Sequence, residues 1–361
     1  MKKERVFLII LVILTFIVLA GLAELTLRLF SPMNPFHASL HMRPLYKMEL
    51  SPELRGVSKK AVHSTNKWGM RGGTPPADWD RYETIIAVGG STTQCYYLDD
   101  LKTWPCLMGE NLKKLYPNVW AANGGLDGHS TKGHIIYMES VIKKVKPKML
   151  VFLTGVNDLG YSLASRGIEL NECEKPSINS RIFSSSRLLQ VMYIWGKVIF
   201  DNAVIVKKMG HGNFIPEPME KESFVPANLR EALPSLPVYR KNLEFIISEG
   251  KKAGIKMLFV SQPSLFDDTP YWRKISGVMY WIKGGEVRYS AATTWRMLRE
   301  FNAELKSVCN EQGVYYYDLA SEIPHSEEYF YDPGHFTEKG AELVAAKVSG
   351  FIIKNRILDK R

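Results

Sequence analysis

Cysteine is scarce in this chain: four residues of 361, at positions 95, 106, 173 and 309, with no C-x-x-C among them. That excludes a disulfide scaffold, leaves open one or two bridges in an oxidising compartment, and removes the usual thiolate ligand sets for zinc. The eight histidines form no H-E-x-x-H, and neither G-x-x-x-x-G-K-[ST] nor G-x-G-x-x-G occurs. No metal or other cofactor is therefore expected. No repeat of fixed period is visible. Lys and Arg, 47 against 37 Asp and Glu, leave a net charge of +10, but they are scattered. Without zinc-finger spacing, an aromatic RNA-binding strand or a basic arm, nucleic acid is not an expected partner. At 45% hydrophobic and 23% charged residues, the composition excludes a disordered, collagen-like or coiled-coil protein.

What is present begins with one long apolar run. Residues 6–23, VFLIILVILTFIVLAGLA, carry no charge, and 18 helical residues nearly cross a hydrocarbon layer of about 30 Å. Lys2, Lys3 and Arg5 precede it. The positive-inside rule keeps residues 1–5 in the cytoplasm and sends everything after Glu24 to the periplasmic or extracellular side. A cleaved signal peptide is the competing reading, with a tolerable site at 21–23, but the run exceeds a usual apolar core of about 7–15 residues. A single-pass signal anchor in the cytoplasmic membrane is expected.

Residues 24–80 read as a linker and N-terminal extension leading into short strands. From 81 to 361 short β-branched runs alternate with helical patterns, the signature of βαβ units. Five strands are expected at 84–88, 119–122, 149–154, 256–261 and 314–319. Helices are expected at 105–116, 131–145, 238–253, 294–311 and 337–355. The fold class is α/β, a three-layer α/β/α sandwich with a five-stranded, mostly parallel sheet, interrupted by an insertion at about 160–237. Ligands of such sheets bind outside the carboxyl ends of the strands, where the functional residues are to be sought.

The first strand runs into Gly89-Gly90-Ser91-Thr92-Thr93, where two glycines permit a sharp turn and leave Ser91 at the sheet rim. A serine there suits a nucleophile, although helix N-caps are commonly serine as well. The second strand leads to Gly124-Gly125-Leu126-Asp127-Gly128, where Gly128 can offer a bare N–H or simply serve the turn. The third ends in Gly155-Val156-Asn157-Asp158, with Asn157 as a side-chain donor or a local turn former. Near the C-terminus, Asp332 and His335 stand three apart across a Pro-Gly turn, so the carboxylate can orient the imidazole and stabilise its charged form. Together these supply every role that a hydroxyl nucleophile requires.

The four blocks GGST, GLDG, GVND and DPGH, in this order, resemble the SGNH or GDSL-like hydrolases, in particular their membrane-anchored bacterial type, to which the upstream STNKWGMRG is similar. The resemblance covers most of 85–355 and implies an SGNH/flavodoxin-like sheet. It implies Ser91 as nucleophile, Ser91, Gly128 and Asn157 as the oxyanion hole, His335 as base and Asp332 as its partner. One block departs: Gly90 stands where the name-giving motif has Asp. The implied activity is that of an extracytoplasmic serine esterase, hydrolysing O-acyl, especially O-acetyl, esters of envelope carbohydrate or lipid through an acyl-Ser91 intermediate. An O-acyltransferase for an envelope polysaccharide would use the same groups, with a membrane-protein partner or an outside acyl donor. A catalytically silent scaffold of the same fold is the third reading.

Two segments carry weaker messages. Residues 186–208 are apolar enough to suggest a span, but Lys197 and Asp201 near the middle argue for a helix packed on the domain or lying on a membrane surface. Gln262, Pro263, Tyr271, Trp272, Tyr280 and Trp281 are of a kind that lines sugar sites, and also of a kind that merely packs.

Overall fold

The computed structural model describes residues 2–30, 44–163, 212–277 and 288–359, with positions 186, 188, 189 and 192 between them. Two compact units result: Met1–Ser39 with Cys173–Gly210, and Leu40–Glu172 with His211–Arg361. In the first, α1 (Lys2–Phe30) is a continuous helix, longer than the apolar run because its polar ends continue the same hydrogen-bonding pattern. It is long and apolar enough to cross a membrane, and residues Val6 to Leu19 present their side chains outward. Near its end Glu24 accepts hydrogen bonds from the Ser186 hydroxyl (3.0 Å) and the Leu188 amide (2.8 Å). Of the rest of 186–208, only positions 189 and 192 are among the described residues.

The second unit contains the α/β body. A hairpin of β1 (Lys47–Leu50) and β2 (Ala61–Ser64) precedes it. The main sheet is built from β3 (Glu83–Gly89), β4 (Val119–Asn123), β5 (Met149–Leu153), β6 (Lys256–Val260) and β7 (Tyr315–Tyr317). Their order is β4-β3-β5-β6-β7, and all four pairings are parallel. The strands begin and end close to the expected positions; β7 is shorter because its flanks turn away from β6 after three paired residues. Central β5, MLVFL, is buried on both faces, as an apolar run without alternation requires.

Helices cover both faces. After the single turn α2 (Ser91–Gln94) comes α3 (Trp104–Lys113), which packs on β4 and on the C-terminal α8 (Glu338–Lys354). On the other face lie α4 (Thr131–Tyr137, continued by a π turn and a last turn to Val145), α5 (Val156–Leu163), α6 (Leu236–Lys252) and α7 (Ala291–Gln312). The chain steps from β3 outward to β4, then back across β3 to β5. That reversal makes the β3/β5 edge the topological switch point, where a crevice opens.

Two features add to the sequence reading. Residues 44–80 do not behave as a tether: the β1–β2 hairpin and the fully buried Arg71 knit them into the α/β unit. Cys95, Cys106 and Cys309 are free thiols, and Cys173 lies outside the described residues.

A buried polar pair ties α4 to α5. The Asp158 carboxylate accepts from the Thr131 amide (3.1 Å) and hydroxyl (2.5 Å) at the first turn of α4, and Asn242 Nδ2 of α6 donates to that hydroxyl (3.0 Å). Burial outweighs these bonds and lifts Asp158 to about 7. The folded state then binds a proton that the unfolded chain has lost above about 4. Its stabilising contribution is complete below that pH and declines as pH rises towards 7. Asp158→Asn should flatten this part of the stability profile by a few kcal/mol, read as the difference between the urea midpoints of the two proteins from pH 4 to 7.5.

Candidate active site

At the switch point β3 ends at Gly89, and Gly90 caps the single turn of α2 with extended backbone (φ −84°, ψ −151°). Ser91 is therefore the first residue of a helix, its amide unused by the turn and its side chain at the carboxyl rim of the sheet. It is 8% exposed. Gly90 has no room for a side chain: a Cβ would fall 2.1 Å from Asn157 Nδ2 and 3.2 Å from the His129 carbonyl oxygen. Asn157, in the first turn of α5, uses the same amide to donate to His129 O (2.8 Å). Gly128, next to His129, has φ +71° with open space around it, a conformation that glycine adopts without strain. Ser91, Asn157 and Gly128 thus belong to three touching turns that follow β3, β5 and β4.

The fourth turn follows β7. Asp332 Oδ2 pairs with His335 Nδ1 at 2.7 Å, while its other oxygen accepts from the amides of Gly334 (2.9 Å) and His335 (2.8 Å). The carboxylate is thereby fixed on both oxygens. Pro333 O accepts from the Leu265 amide (3.0 Å) and the Ser264 hydroxyl (2.8 Å), which fastens the turn to the segment after β6. Tyr331 lies parallel to the imidazole, centroids 5.7 Å apart. A Cβ on Gly334 would stand 3.8 Å from Thr92 Cγ2, so the Asp332–His335 turn rests against the residue beside Ser91.

The electrostatics of this pair have two opposing parts. Burial resists the charged imidazolium, but the Asp332 charge and hydrogen bond outweigh it, so His335 sits above its ordinary value. Burial likewise opposes the Asp332 carboxylate, and the imidazole and the two amides hold it below the usual range. An imidazole oriented in this way is an arrangement for removing a proton from a hydroxyl within its reach.

Residues 87–343 match the GDSL-like lipase/acylhydrolase family. The chain belongs to that family. It is a GDSL-type carboxylic ester hydrolase. Among solved structures it is similar to an acetylxylan esterase from Geobacillus stearothermophilus (11% identity, 75% of this chain and 93% of that chain, TM-score 0.43). It is also similar to the acetyl xylan esterase AlAXEase (14%, 74% and 99%, 0.43) and to a lipase/acylhydrolase from Enterococcus faecalis (14%, 76% and 96%, 0.43). No curated protein matches.

Several residues of this GDSL-like hydrolase that the motifs did not single out surround the serine turn. Thr92 Oγ1 donates to Gln262 Oε1 (3.2 Å), and Gln262 exchanges backbone bonds with the Asn302 amide group (2.9 and 3.0 Å). Gln262 is fully buried, so it does not line an open sugar site. Trp272 packs on Phe214 and Phe266, Tyr271 is exposed, and Tyr280 and Trp281 lie outside the described residues. Asn123 Nδ2 donates to Thr93 O (2.7 Å). The only sequence signal for Asn123 was its place at a strand end, and for Gln262 a polar residue ending an apolar strand.

The departure from the name-giving motif has a steric reading: at Gly90 any side chain displaces the Asn157 amide. That amide is the movable end of a side chain, so the fold tolerates the displacement. Gly90→Ala should keep its melting temperature within a few degrees yet lose about 10²-fold in kcat on a short ester. Unchanged turnover would show that Asn157 need not stand over Gly90.

Proposed function

We propose that the protein is a membrane-anchored, extracytoplasmic serine esterase acting on O-acyl, principally O-acetyl, esters of cell-envelope carbohydrate or lipid. The observation that carries this reading is the 2.7 Å Asp332–His335 pair on a turn packed against Thr92. It supports Ser91 as nucleophile, because a serine hydroxyl near neutral pH needs a positioned base. His335 takes the Ser91 proton as the oxygen attacks the ester carbonyl, and Asp332 stabilises the imidazolium that forms. The tetrahedral oxygen receives the Ser91 and Gly128 amides and the Asn157 side chain. Collapse returns the proton to the leaving alcohol and leaves acyl-Ser91. Water, deprotonated by the same imidazole, completes hydrolysis.

The proposed location is supported by α1, whose exposed apolar surface suits lipid and whose Lys2, Lys3 and Arg5 favour a cytoplasmic start. The +10 charge suits an anionic envelope surface.

A fluorophosphonate probe should tag the full chain in detergent at Ser91, and Ser91→Ala should lose both tag and activity. Incubation with an acetylated glycan should release free acetate. Acyl transfer to an added sugar without release would make the enzyme a transferase, and an untagged, inert protein would leave only a scaffold.

The base also sets a pH profile. His335 must be neutral to act, so kcat/KM should fall as pH drops through a value above the ordinary 6.5. Asp332→Asn leaves burial acting on the imidazole against the Asp127 charge only; residual activity, lower by about 10³–10⁴-fold, should show its acidic limb shifted to lower pH. A limb that does not move would separate it from His335.

A further inference from the structure

Arg71 belongs to none of the groups that carry the proposed chemistry, yet its side chain is completely enclosed. Nε donates to Asp100 Oδ1 (2.8 Å), Nη1 to the carbonyls of Gln94 and Cys95 (2.7 Å each), and Nη2 to the carbonyl of Leu98 (2.6 Å). Three of these four acceptors are backbone groups of the segment just after Ser91. The helix that begins at Ser91 is one turn long, and its exit at Cys95 is left-handed (φ +50°) although the residue is not glycine. Such a turn is neither self-supporting nor relaxed. The guanidinium grips it at the final carbonyls, which a helix leaves without internal partners.

The backbone of Arg71 reaches the neighbouring turn as well. Its amide and carbonyl exchange hydrogen bonds with Asn123 (2.9 and 2.8 Å), the last residue of β4, from which the chain continues to Gly128. Asn123 in turn donates from its side chain to Thr93 O and Gln94 O and accepts from the Gly125 amide. Asp100 is braced from the other side by the Ser64 amide and hydroxyl of β2. Arg71 thus joins, by its side chain and backbone together, the serine turn, the edge of the Gly128 loop and, through Asp100, the N-terminal hairpin.

We propose that Arg71 is a positioning residue for the esterase: its buried guanidinium locks the exit of the serine turn and so fixes Ser91 relative to the Gly128 loop. The proposal rests on Ser91 being the nucleophile. A fork is required, because the four acceptors are reached from Nε, Nη1 and Nη2 and a single ammonium cannot span them. Misplacing a nucleophile by about 1 Å costs on the order of 10²-fold in rate without changing how the substrate is held.

The test uses the full chain in detergent, with Arg71→Lys and Arg71→Ala beside wild type. For folded Arg71→Lys, kcat on a short ester should drop by about 10²-fold while KM stays within about threefold. Millimolar guanidinium should restore kcat to Arg71→Ala, and methylammonium, which carries the same charge without the fork, should not. Amide exchange over 91–98 should quicken in both variants while β5 and β6 keep their protection. Wild-type kcat in Arg71→Lys, failure of guanidinium to restore a folded Arg71→Ala, or unchanged exchange over 91–98 would each overturn the proposal. Should Arg71→Ala not fold, Arg71→Lys and the exchange measurement decide. An inert, untaggable wild type would instead sink the esterase reading, and the exchange arm would still report whether Arg71 holds the turn.

Discussion

A single helical turn cannot hold itself together, and this constraint organises the whole catalytic edge. Nucleating a helix fixes several residues for one hydrogen bond, and α2 stops after four residues. The chain answers by giving every carbonyl from 90 to 95 a partner. Gly90 O accepts from the amides of Thr93 and Gln94, and Ser91 O from that of Cys95. Thr92 O accepts from Trp104 Nε1, Thr93 O from Asn123, Gln94 O from Asn123 and Arg71, and Cys95 O from Arg71. These partners come from α3, from β4 and from the segment before β3. The serine is therefore held by tertiary structure, and its turn is only as rigid as the elements around it.

The acid–base side is built on a different principle. Its turn is local, closed by Asp332 accepting from the two amides that follow it, and Pro-Gly keeps it out of the adjoining α8. Local closure orients the carboxylate; the segment after β6 merely fastens the loop. That difference explains what was legible in the sequence. Asp332 and His335 are three residues apart and announce themselves as a pair. The support of the serine turn comes from residues 12 to 170 positions away, and no linear pattern shows that they meet there.

The sheet was readable for the same reason as the Asp–His turn: β5 and β6 are short, continuous, apolar runs whose burial is a local property. β7, YYY, is half-buried throughout and pairs with only one neighbour, so its extent is set by contacts rather than by composition. The hairpin of 47–64 was hidden behind weak strand character, because its stability derives from Asp99 and Asp100 bonding the amides of Val62 and Ser64. Gly90 was noticed as a departure from a motif, but its reason, the Asn157 amide 2.1 Å from where a Cβ would stand, exists only in three dimensions.

Burial also explains why the two halves must be rigid in concert. Ser91 is 8% exposed and the His335 side chain 11%, so the proposed proton transfer from Ser91 to His335 would take place largely withdrawn from water. Withdrawal strengthens each electrostatic interaction, and it equally penalises the imidazolium that the reaction must form. Asp332 is the counterweight, held ionised by His335 and two amides. That balance depends on distance, because a charge withdrawn from water is stabilised only by partners in direct contact. Asp127 and Gly128, on the turn after β4, are exposed instead, so the buried Asp–His pair adjoins a rim that water reaches.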